Sequence, residues 1–123
     1  MDAMKLWIDG KWQDASDGTT FEVLNPLDDS LYAMAAKGTE ADMRDAVSAA
    51  KAAFPGFKNT TPNERETWLI KAAEIMERRK NDILDCLIDE VGSPFAKAMF
   101  EFKKGVSMTR AAAGLARQVR GET

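Results

Sequence analysis

The stretch 61–91 constrains the fold of this chain more than any other. It opens Thr61-Pro62-Asn63-Glu64. A threonine at the N-cap accepts from the backbone of the first turn, and a glutamate three residues on reaches back to the threonine amide. Two orphan donors are thereby satisfied. Proline stands at the first helical position, where an amide would lack a partner anyway. Removing the threonine oxygen should cost about 1 kcal/mol. Leu69, Ala72, Met76, Ile83, Leu87 and Val91 recur at helical spacing, and Trp68, Ile75, Leu84 and Ile88 widen the stripe. The stripe thins at Arg78-Arg79-Lys80, whose aliphatic stems can still cover apolar surface. Gly92 follows as a C-terminal cap. The pattern predicts one helix over 61–91 with a face that must be buried.

The flanking segments carry faces to meet it. Ser93-Pro94 restarts a helix by the same logic, serine cap and proline first, over 94–119. Phe95, Met99, Phe102 and Val106 lead its apolar side. Gly105 and Gly114 each cost about 1 kcal/mol against alanine inside a helix, so retaining them implies a closely packed neighbour. Upstream, Thr39 caps a helix over 39–54, with Asp42 as a weaker capping-box partner. Met43, Val47, Ala50 and Phe54 share one face, Ala46, Ala49 and Ala53 narrow its flank, and Pro55-Gly56 should end it.

Residues 1–37 read as strands. Asp9-Gly10 between Lys5-Leu6-Trp7-Ile8 and Lys11-Trp12-Gln13 supplies the two positive φ values of a type I′ hairpin turn. Trp7 and Trp12 flank it, suited to covering a sheet face. Phe21-Glu22-Val23 makes a short strand that Asn25-Pro26 ends, and Leu31 to Ala36 makes another. The expected class is α+β: an N-terminal β-hairpin and short strands followed by three amphipathic helices.

The chemistry available is limited. The chain has no histidine, which removes the commonest general base and metal ligand. Its single cysteine, Cys86, excludes an intrachain disulfide and fits a reducing, cytoplasmic setting. Cys86 lies near Asp85, Asp89 and Glu90, a poor place for a thiolate, and reads as a packing residue. The acidic run Asp82, Asp85, Asp89 and Glu90 reads as a solvated face. A net charge of -3 with interspersed signs argues against a nucleic-acid surface, and charges interrupt every apolar stretch, so no membrane span is expected. No phosphate-binding glycine pattern or nucleophile elbow occurs. On residues alone, the chain reads as no more than an interaction or structural module, the alternative being a free-standing helical protein-interaction or dimerisation module.

The order of motifs nevertheless resembles a family. Ile8-Asp9-Gly10-Lys11-Trp12 and Phe21-Glu22-Val23-Leu24-Asn25-Pro26 are similar to the opening of aldehyde dehydrogenases. Ala46-Val47, Ala49-Ala50 and Ala53-Phe54 match that family's first helix; Pro62, Arg65 and Leu69 match its second. Glu90-Val91-Gly92-Ser93-Pro94 stands where the family commonly has Glu-Thr-Gly-Lys-Pro, with Val91 and Ser93 as departures. The run from Gly92 to Glu101 looks like the bacterial branch acting on aromatic aldehydes such as benzaldehyde or vanillin.

The resemblance implies that residues 1–123 are an N-terminal segment of the family's cofactor-binding domain. The parent would oxidise an aldehyde to a carboxylic acid with NAD or NADP, using a cysteine nucleophile, a glutamate and an oxyanion-stabilising asparagine. None of those catalytic or cofactor-binding residues matches a position here, so the chain alone is expected to be inactive and to bind no cofactor. Its partners would be the remainder of the parent enzyme and the parent's aldehyde substrate, with no nucleic acid or membrane. The same resemblance implies a monovalent cation held by the carbonyls of Val23 and Leu24 and the carboxylate of Glu90. It also implies that region 104–108 of the third helix borders a substrate tunnel, whereas Gly105 by itself points to a close helix contact. Helices shaped against a larger body would leave apolar patches, so the separate chain is expected to self-associate.

Overall fold

The computed structural model describes residues 3–118. The element order is β1 (Leu6–Ile8), β2 (Lys11–Gln13), β3 (Thr20–Leu24), β4 (Leu31–Ala36), α1 (Glu40–Lys58), α2 (Pro62–Arg78), α3 (Lys80–Asp89) and α4 (Phe95–Leu115). The chain divides into two compact units, one up to Asn59 and one from Thr60 onward. The class is α+β, as the sequence implies.

In the first unit, β1 and β2 form an antiparallel hairpin with Trp7 opposite Trp12. Asp9 and Gly10 take φ of 51° and 74°, the mirror-image turn that matches strand twist. The two indoles meet edge to face, centroids 4.8 Å apart and planes at 61°. They cover each other rather than a buried sheet face, since both remain exposed. A second antiparallel pair, β3 with β4, carries a bulge between Val23 and Leu24. Met4 extends this pair: its amide donates to the Met34 carbonyl and its carbonyl accepts from Ala36, each at 2.8 Å.

Helix α1 differs from its expected span. It begins at the expected cap but runs through Pro55 to Lys58. A proline removes one intrahelical donor, that to the carbonyl four residues earlier. Here that residue is the exposed Lys51, whose carbonyl can turn to water, and the helix continues. It ends where the Asn59 amide donates to the Gly56 carbonyl at 3.2 Å.

In the second unit, the single helix expected over 61–91 is two. Arg79, at φ −95° and ψ 24°, closes α2 and opens α3. The departure is one residue long: the Arg79 amide still donates to Ile75 at 3.0 Å and its carbonyl accepts from Ile83 at 3.1 Å. The break falls where the apolar stripe is missing, at three consecutive cations that give the junction no apolar contact to hold it straight. Asp82 then lies in the first turn of α3, favourable to the helix dipole, with Arg79 Nε on its Oδ2 at 3.1 Å.

Both α2 and α3 pack on α4. The core is Ala73, Leu84, Ala98, Phe102 and Val106, lined by Met76, Ile83, Leu87, Ile88 and Met99. Gly105 lies against α2: a Cβ there would stand 3.4 Å from Met76 Cε, so the missing side chain permits the close helix contact. Gly114 has no such neighbour within 4 Å among the described residues. Ion pairs Glu77–Arg110, at 2.7 Å, and Glu66–Arg117 join α2 to α4 and to the turn that follows it. Helix α3 ends at Asp89 with Glu90 as its C-cap, two residues short of the expected end at Val91; Gly92, φ 69°, follows, its amide donating to Ile88 and that of Ser93 to Leu87. Ser93, however, does not cap α4. The N-cap is Pro94, without a side-chain bond, while Ser93 is buried and its hydroxyl accepts from Lys97 Nζ at 3.0 Å. Helix α4 ends at Leu115 with Ala116 as its C-cap, short of the expected end at 119.

Candidate functional site

The most organised polar cluster sits at the start of α1. Thr39 and Asp42 form a complete capping box: Thr39 Oγ1 accepts from the Asp42 amide, and Asp42 Oδ2 accepts from the Thr39 amide at 2.8 Å. The same carboxylate reaches a second partner. Ser16, 26 residues earlier, donates its amide to both carboxylate oxygens at 3.1 and 3.2 Å and its hydroxyl to Oδ2 at 3.3 Å. Ser16 Oγ and Thr39 Oγ1 lie 2.7 Å apart. Asp42 is only 3% exposed. The Thr39 amide chiefly, then the Ser16 amide, hold its carboxyl below the ordinary aspartate range. Ser16 gives no local sequence signal, because the bond crosses from the loop after β2. Beside the cluster lies a groove of about 240 Å³ walled by Leu6, Trp7, Ile8 and Met43, with Thr39 and Asp42 at one end.

The start of α2 repeats the box without the tether. Glu64 Oε2 accepts from the Thr61 amide at 2.7 Å and from its hydroxyl at 2.8 Å. Those two bonds, the amide first, hold Glu64 below the ordinary glutamate range. All of this is exposed.

These caps bear on what the chain could hold. Helix N-termini are the natural seats for a pyrophosphate. Those of α1 and α2 are filled by the chain's own carboxylates, α3 begins with Asp82 in its first turn, and the one cation near the start of α4, Lys97, turns to Ser93 and Glu101. The starts of α1, α2 and α3 therefore already face the chain's own carboxylates.

Of the residues expected to hold a cation, Val23 and Leu24 border the register shift of β3 against β4 in the first unit, and Glu90 is the C-cap of α3 in the second. Glu90 Oε2 accepts from Cys86 Sγ at 3.0 Å. A thiol donating to a carboxylate is not in the positive setting that thiolate chemistry needs. Among the described residues no group of three or more cysteine, aspartate or glutamate side chains is arranged to hold a metal ion. In region 104–108, Val106 is buried in the core, Gly105 meets Met76, and Met108 is exposed. No helix among the described residues is long and apolar enough to cross a membrane.

Comparison with known proteins gives these features a context. Salicylaldehyde dehydrogenase of Pseudomonas putida is 35% identical over 119 residues, covering 97% of this chain and 25% of that protein. A putative aldehyde dehydrogenase of Staphylococcus aureus is 37% identical over 95 residues, 77% of this chain and 20% of that one. Among solved structures, an NAD-dependent benzaldehyde dehydrogenase from Corynebacterium glutamicum superposes with a TM-score of 0.93 at 32% identity, over 99% of this chain and 27% of that one. A salicylaldehyde dehydrogenase from Pseudomonas putida G7, complexed with salicylaldehyde, gives 0.93 at 35% identity, over 97% and 25%. The chain thus spans about a quarter of the length of these relatives, in their N-terminal portion. Residues 12–123 match the model of the aldehyde dehydrogenase family, and the chain belongs to that family.

Proposed function

We propose that this chain is the N-terminal segment of the cofactor-binding domain of a cytoplasmic, oligomeric NAD(P)-dependent aldehyde dehydrogenase, one that oxidises an aromatic aldehyde to its acid. The observation that carries the reading is the near-complete superposition on a quarter of two enzymes named for aromatic aldehydes. One of them is NAD-dependent, and another similar structure, at 30% identity, is in complex with nicotinamide adenine dinucleotide. The segment itself contributes scaffold and no catalytic group. Its partner is the remainder of the parent, whose burial of Met43, Val47, Phe54, Phe95 and Phe100 would account for apolar side chains that are 59–67% exposed.

The expected outcome is no reduction of NAD by the purified 123-residue chain with salicylaldehyde or benzaldehyde, measured by absorbance; turnover above a no-protein control would overturn the scaffold reading. The coding sequence after Thr123 should continue into a Pro-Trp-Asn stretch and a later cysteine and glutamate. Alone, the chain should self-associate in light scattering and bind an apolar dye. A monodisperse monomer without dye binding would count against the reading. On donor chemistry, we also propose that the Val23 and Leu24 carbonyls and Glu90 take a monovalent cation in the parent. Glu90→Ala should then abolish the potassium dependence of the parent's thermal stability, and an unchanged dependence would exclude it.

A further inference from the structure

We infer that the two units are unequal in stability: the helical unit from Thr60 is the stable folding unit, and the hairpin–helix unit up to Asn59 opens first. The division follows from what each unit buries. The helical unit has a continuous apolar centre of Ala73, Leu84, Ala98, Phe102 and Val106, each at most 8% exposed. It is braced by Glu77–Arg110 and Glu66–Arg117, pairs 33 and 51 residues apart in sequence. Losing any helix would expose parts of the other two, which makes the three cooperative.

The hairpin–helix unit has no equivalent. Among its described residues the buried ones are Ala15, Ala33 and Asp42, two methyl groups and a carboxylate. Met43, Val47 and Phe54, the stripe of α1, are 65%, 59% and 61% exposed. Each of its sheets has two strands, fewer than independent stability ordinarily requires. Its parts are joined by the Ser16–Thr39–Asp42 cluster and by the two backbone bonds of Met4 to β4. Hydrogen bonds exchange against water with small net gain, whereas apolar burial scales with area, so a polar clamp is the weaker cement. Local opening follows such differences in buried apolar contact. Beyond a scaffold role, this makes the first unit a segment whose rigidity depends on covering the α1 stripe.

Amide hydrogen exchange on the 123-residue chain tests it, independently of whether the parent oxidises aldehydes. Amides of Leu84, Phe102 and Val106 should be protected about 100-fold more than those of Val47, Ala50 and Ala53. Protection within about tenfold across both sets, or the reverse order, would overturn the inference. Asp42→Ala should remove the remaining protection in α1 while leaving that of Phe102 and Val106 unchanged. Loss of both together, including complete unfolding, would show one cooperative body instead.

Discussion

Helices α1 and α2 begin with the same device and use it differently. Thr39 with Asp42 and Thr61 with Glu64 are both complete capping boxes. At α2 the box is exposed and local, so it sets where a helix starts. At α1 the carboxylate is buried and also gathers Ser16, so it sets where a loop lies as well as where a helix starts. A motif of given sequence therefore has no fixed worth. The number of segments that converge on its acid decides that.

The largest expected effect is at Asp42. Asp42→Ala removes the box and the loop tether together, and should lower the melting temperature of its own unit, followed by circular dichroism, more than Glu64→Ala lowers that of the helical unit. Equal losses would erase the distinction between the two starts. Thr39→Ala comes next, at about 1–2 kcal/mol by urea denaturation, against about 1 kcal/mol or less for Thr61→Ala. The acid limb sharpens the contrast. Both carboxyls are held below their ordinary values, 3.8 for Asp42 and 4.5 for Glu64. Their stabilising contribution is therefore whole above those values and is lost as pH falls through the depressed folded values. Melts between about pH 6 and pH 2.5 should steepen in that acid range, and Asp42→Asn should flatten the curve more than Glu64→Gln. The smallest effect is Ser16→Ala, about 0.5–1 kcal/mol by urea denaturation, because the amide donor to Asp42 survives.

What the sequence made legible was local. Asp9-Gly10 dictates a turn whatever surrounds it, Thr61 and Glu64 are three residues apart, and Gly92 needs only its own positive φ. The ordered motifs likewise sufficed for the family. The illegible parts depend on distant partners or on solvent. Nothing near Ser16 announces a bond to Asp42. Pro55 was expected to stop α1 because its rule assumes a carbonyl that cannot find water, and Lys51 is exposed. The stop at Arg79 needed knowledge that no apolar neighbour would bridge the gap in the stripe. Ser93 has a cap's chemistry, yet it is buried and engaged by Lys97. The depth of Ala73, fully buried, was hidden because a methyl group carries little weight in an apolar pattern. For the site, the sequence identified donors for a cation but not their company, since the Cys86 thiol on Glu90 is a matter of side-chain orientation.

The edge-to-face contact of Trp7 and Trp12 has an optical consequence. Two indoles this close and inclined at 61° couple their electronic transitions, giving a paired circular dichroism band that a lone indole lacks. Trp68, the third tryptophan, stands in the other unit. The coupled band thus reports, without a label, whether the hairpin is formed.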